Sequence, residues 1–222
     1  MEKSKRFKAL IILDLIVFVS MVLGITFSVV DVRFMVDLPR LSSLPIYMTF
    51  TGLSNIFIAL VCLWCALHRI IYKELELTKP LFLLKVIALA EITITFVITA
   101  TYLAFSLGAN WWRLYINNNF FNHFLTPLLA IIPFLLLEEY VDFSLKECLY
   151  SIVPIVLYGL FYAINVYTNL TPEGNTDLAY DIYGFARFGY FVMLLFFIAF
   201  ISISVGITML YRLLSKHKKR SD

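Results

Sequence analysis

The sequence predicts an all-α fold, a polytopic membrane protein whose six transmembrane helices form a single bundle with both termini on the cytoplasmic side. Three observations carry the prediction. Of the 222 residues, 61% are hydrophobic and 15% charged, whereas soluble domains carry about 45–50% and 25%. So few Lys, Glu, Arg and Asp cannot cover a soluble core. The apolar residues fall into six runs, near 9–30, 46–68, 80–106, 120–137, 148–167 and 184–212, each close to the roughly 20 residues a spanning helix needs. With these gaps between them, thirteen of the eighteen Lys and Arg lie on one side, and Arg33, Arg40, Arg113 and Arg187 on the other. The cation-rich side is the cytoplasmic one. The runs leave no room for a folded extramembrane unit, so residues 1–222 read as one membrane domain.

Each span has its own features. The first follows the basic stretch Lys3 to Lys8 and ends in Ser28-Val29-Val30-Asp31 with no Ala-x-Ala cleavage site, so it reads as a retained helix. Asp14 stands about five residues into it, in reach of cytoplasmic headgroups or a neighbouring cation. The second opens after Pro45, carries Thr51 and Asn55 four residues apart on one helix side, and places Cys62 and Cys65 as small packing residues. The third holds Lys85, about 9 Å inside by helical rise and able to snorkel to the cytoplasmic interface. It also sets Glu91, Thr95 and Thr99 along one stripe. Trp111 and Trp112 after it read as an interfacial aromatic belt. The fourth span bears His123 about 5 Å from its outer end, and its unbroken Leu125–Leu137 run excludes a membrane barrel, whose strands alternate. The fifth brings Tyr162 and Asn165 near the same level, and the sixth begins around Arg187, about 5 Å inside.

Ionisable groups at membrane depth mark function by default. The short inventory here is Asp14, Glu91, His123 and Arg187. Thr51, His123 and Arg187 share one layer, with Asn55 and Glu91 deeper. If the stripes of the second and third spans turn inward, they enclose a polar pocket open to the outer leaflet, with Glu91 at its floor and His123 on its wall. Glu91 is too deep to reach water and must be protonated or paired. Three His fall short of the four axial ligands of a di-haem carrier, and no zinc, di-iron, Walker, GxSxG or dinucleotide motif occurs. No metal and no cofactor are expected. A net charge of +3 implies no nucleic-acid partner. Short loops and short termini fit a bacterial plasma membrane.

The stretch Tyr47-Met48-Thr49-Phe50-Thr51-Gly52-Leu53-Ser54-Asn55 resembles the "YFTxxSN" opening of the second span in a group of bacterial six-helix membrane proteins. Asn122-His123-Phe124-Leu125-Thr126-Pro127-Leu128-Leu129 is similar to their "HxxxPLL" segment, and Glu91-Ile92-Thr93-Ile94-Thr95-Phe96 to their "VTxTF" run, with an acid placed before it. That group resembles in turn the androgen-induced and androgen-dependent membrane proteins, intramembrane threonine hydrolases of fatty acid esters of hydroxy fatty acids. The resemblance implies Thr51 as nucleophile and His123 as its base, acting on an acyl-ester lipid; Thr49 competes for the nucleophile's place. A Thr hydroxyl needs such a base within hydrogen-bond reach, and Asn55, Asn122 or Arg187 could serve the developing oxyanion. Two other classes stay open. One is a small-molecule or proton-coupled transporter using Glu91. The other is a non-catalytic membrane partner or assembly factor in which Thr51 and His123 merely bond helices together.

Overall fold

A computed structural model describes residues 3–30, 48–170, 180, 181 and 183–221, with the side chains of Arg187 and of 218–221 outside the described set. Six long helices dominate it: α1 (Lys3–Val29), α2 (Phe50–Tyr72), α3 (Lys79–Ile98), α4 (Thr126–Leu137), α5 (Ile152–Thr168) and α6 (Tyr190–Ser221). No strand occurs among the described residues. Six helical stretches are long and apolar enough to cross a membrane.

Local chemistry explains where the helices start and stop. Thr49 is the N-cap of α2, and its Oγ1 accepts from the Gly52 N–H at 3.0 Å. The helix closes at Lys73, which is left-handed (φ 56°) and donates its N–H to the Arg69 carbonyl at 2.9 Å. Pro80 stands in the first turn of α3, where a missing N–H costs nothing, whereas Pro127 follows a widened turn inside a continuous helical stretch. Two helices are interrupted by wider turns. A π turn, Thr99–Leu103, continues α3, and a second, Phe121–Leu125, leads into α4. Between them runs the 3₁₀ segment Gly108–Tyr115 with half-exposed Trp111.

Helix α3 is the centre of the bundle. In the stretch Lys79–Tyr115, 72% of the most apolar window is buried, against 17% for the stretch that contains α6. It packs on α2, α4 and α6, while α1 lies against α2 and α4, and α5 against α6. The larger core joins Cys62, Cys65, Phe82, Leu89, Phe134 and Tyr211; Cys62 and Cys65 are unpaired packing residues. A smaller one, around Tyr162, Phe185 and Met193, joins α5 to α6.

The interior also holds a buried quartet of charges. Arg69 Nη1 lies 2.6 Å from Asp14 Oδ2, and Lys85 Nζ lies 2.7 Å from both Asp14 Oδ1 and Glu138 Oε2; Arg69 Nη2 closes the ring on Glu138 Oε1. None of the four residues is more than 4% exposed. This corrects the expectation that Lys85 snorkels to the interface. Two carboxylates at fixed distance offer it better partners than headgroups, and the buried Cys62 and Cys65 lie near it. Asp14 takes the cation pairing. Burial alone would push the Glu138 carboxyl up, but Lys85 and then Arg69 hold it below its ordinary value.

The sixth expected span begins later than its sequence suggests. Arg187 lies in the 3₁₀ turn Ala186–Phe188, ahead of α6, because Gly189 (φ 87°) breaks the helical path. It therefore does not enter the helix, and its side chain lies outside the described residues.

Candidate functional site

Thr51 sits in the first turn of α2, just inside the Thr49 cap. It borders a cavity of about 280 Å³ between α2, α3, α5 and α6, whose wall includes Thr95, Thr99, Tyr158, Tyr162, Phe185 and Phe197. The expected i, i+4 stripe of α3 does reach this cavity through Thr95 and Thr99. Thr95 does not fold back on its own helix; its Oγ1 lies 2.7 Å from Ser54 Oγ, tying α3 to α2. The lining is otherwise aromatic and aliphatic, which suits an alkyl or acyl chain better than a polar metabolite.

The loop ahead of α6 closes one end. Tyr183 Oη accepts from the Phe50 N–H at 2.9 Å, so it satisfies one of the unpaired donors at the start of α2. Tyr162 Oη donates to Asp181 Oδ1, and Asp181 Oδ2 accepts from the Ala186 N–H at 3.1 Å. Asp181 and Tyr183 are missing from the sequence-based candidates. Both lie in a polar loop with no helical period, where no spacing signals that Tyr183 meets the start of Thr51's helix or that Asp181 meets Tyr162 of α5.

His123 stands in the π turn ahead of α4 and is buried. Its Nδ1 lies 3.0 Å from the Leu114 carbonyl oxygen. A carbonyl only accepts, so Nδ1 carries the hydrogen and Nε2 keeps its lone pair. A backbone group of the preceding 3₁₀ segment is thus the orienter for the ring. No side chain does that work, so a search of side-chain motifs cannot find it.

Asn55 connects these two parts. Its Nδ2 donates to the Thr51 carbonyl at 2.8 Å on its own helix and to the Asn122 carbonyl at 2.9 Å across the bundle. The turn that bears Thr51 and the turn that bears His123 are therefore tied through one buried amide. Both Nδ2 hydrogens are used, so Asn55 is a tie and not an oxyanion donor. Asn122 sits beside Gly24 of α1, where a Cβ would come within 2.7 Å of Asn122 Oδ1. Only glycine permits that approach.

The candidate residues do not all share one space. Thr51 borders the cavity, whereas Glu91 borders a separate groove between α2, α3 and α5, and His123 borders neither. Among the described residues, Thr51 and His123 share no hydrogen bond. The single polar pocket expected from the stripes is thus divided, because bulky Phe50 and Tyr158 stand where both spaces meet. Glu91 Oε1 lies 2.8 Å from Ser204 Oγ, and among the described residues Oε2 has no hydrogen-bond partner. Among the described residues no three His, Cys, Asp or Glu gather as a metal site would require.

No family model, no curated protein and no solved structure matches this chain.

Proposed function

We propose that the protein is an intramembrane hydrolase of long-chain ester lipids, with Thr51 as nucleophile and His123 Nε2 as the base. The observation that carries this reading is the Asn55 tie, which holds a cavity-lining threonine and an oriented imidazole on neighbouring turns. The hydrogen bond to Leu114 leaves Nε2 available to take the Thr51 proton, directly or through one water; such contacts often tighten only when substrate is bound. Attack of Thr51 Oγ1 on the ester carbonyl would form an acyl-enzyme and release the alcohol, and water would then release the acid. The cavity would hold the acyl chain. The six spanning helices would sit as one domain in a bacterial plasma membrane with both termini inside, and the lipid would enter sideways. The resemblance to the threonine hydrolases supports the same pair of residues.

The test is covalent labelling of detergent-purified protein by a fluorophosphonate, read by intact mass, with Thr51→Ala, Thr49→Ala and His123→Ala beside the parent. Labelling is expected in the parent and in Thr49→Ala and lost in the other two. A folded parent that takes no label, while a serine hydrolase does so in the same detergent, would overturn the reading.

A further inference from the structure

The groove between α2, α3 and α5 has a volume of about 680 Å³ and an almost wholly apolar wall, including Leu53, Phe57, Leu60, Val153 and Leu157. Leu60 and Leu157 are 52% and 63% exposed, so it opens at the side of the bundle, where lipid would lie. Glu91 also lines the groove and is only 1% exposed.

The hydrogen bonds around this acid are compatible with its neutral form. Ser204 Oγ lies 2.8 Å from Glu91 Oε1 and 3.1 Å from the Ser151 carbonyl oxygen. A hydroxyl has one hydrogen and cannot serve two pure acceptors fully. Both contacts are satisfied when the carboxyl is neutral: its Oε1–H donates to Ser204 Oγ, and Ser204 passes its own hydrogen to Ser151. The buried acids Asp14 and Glu138 each have two cations. Among the described residues no cation pairs with Glu91, and the neutral form needs none. That leaves Oε2 as a buried carbonyl acceptor without a donor. A buried acceptor without a partner costs free energy that a ligand donor can recover.

We infer that the groove between α2, α3 and α5 is a binding site for a long-chain alcohol, its hydroxyl donating to Glu91 Oε2 and its alkyl chain lying along Leu53, Leu60 and Leu157. A neutral head fits because the acid it meets is neutral. The site stands apart from the threonine chemistry: Thr51 and His123 do not line it.

The test uses a diazirine-bearing hexadecanol, photolysed with the full-length protein in phosphatidylcholine nanodiscs, with labelled peptides read by mass spectrometry. The Thr51→Ala background removes any dependence on turnover, so this result and that of the labelling experiment above are read separately. Labels are expected in the peptides around Leu53–Leu60 and Val153–Leu157, competed by hexadecanol about tenfold better than by hexadecyl methyl ether, which has no donor. Glu91→Gln should keep the labelling, because its amide N–H₂ can donate to Ser204 while its oxygen still accepts. Glu91→Met should lose it. Leu157→Trp, which fills the groove from its exposed side without touching the buried carboxyl, should lose it too. Equal competition by the methyl ether would reduce the groove to a nonspecific apolar surface and overturn the site. Stronger competition by hexadecylamine, together with loss in Glu91→Gln, would overturn the neutral-head assignment in favour of an ammonium.

Discussion

Lys85 of α3 reaches Asp14 of α1 across the middle of the bundle, Nζ to Oδ1 at 2.7 Å, with both residues almost wholly out of solvent. The same ammonium holds Glu138 just beyond the end of α4, so one cation gathers three parts of the chain. Lys85→Met should therefore do more than delete a contact, since it leaves two buried carboxylates facing Arg69 alone. The expected loss is about 3–5 kcal/mol of stability. Thermal unfolding in detergent checks it, and the double variant Asp14→Asn/Lys85→Met, which restores the charge balance, should lose less than Lys85→Met.

The quartet also carries a pH dependence. Glu138 is held below its ordinary value in the folded protein. A group with a lowered folded value contributes stability that is present above its unfolded value, near 4.5, and lost as pH falls through the folded one. The stability difference between parent and Glu138→Gln should be constant from neutrality down to about pH 5 and shrink below it. Unfolding midpoints followed across that range test the sign, and a difference that grows on acidification would contradict it.

The two threonines at the head of α2 should separate cleanly. Thr49 caps the helix through Gly52, so Thr49→Ala should cost about 1 kcal/mol of stability and leave fluorophosphonate labelling in place. Thr51→Ala removes a hydroxyl that caps nothing in the structure, so its stability should stay close to that of the parent. Midpoint and labelling measured on the same samples would show the two effects trading places.

Asn55 should behave as a positioning residue. Asn55→Ala cuts the tie between the Thr51 and Asn122 turns, and a displacement of about 1 Å at the reacting groups is worth up to about a hundredfold in rate. Labelling should slow by about that order while its pH profile stays that of the parent, because Asn55 does not contact the imidazole in the bonds described. A shifted profile would assign Asn55 a direct part in the proton transfer.

The helices were legible in the sequence because hydrophobicity over about 20 residues is a strong, local signal. Within them, Thr51, Asn55, Thr95 and Thr99 were placed on inward stripes by their four-residue spacing, and the structure puts Thr51, Thr95 and Thr99 on one cavity. What spacing cannot reveal is which stripe meets which. Glu138 follows the last apolar residue of the fourth run, and nothing in that position signals that it meets Lys85. The backbone carbonyl that orients His123 has no sequence identity at all. Glu91 was readable as a buried acid; its separation from Thr51 was not, since it depends on where the rings of Phe50 and Tyr158 pack, 5.3 Å apart and edge-on.

The wide turns at Thr99–Leu103 and Phe121–Leu125 have a consequence for the length of the chain. Each closes its loop over one more residue than an ordinary helical turn, so each behaves as a stored insertion. Deleting a single residue from either would let the helix return to its regular winding with both flanks still in phase, so the change would fall on the widened turn itself. For the second turn that local change would move His123 off the Leu114 carbonyl while the rest of the bundle stays in register. One surplus residue thus aims the imidazole without touching it.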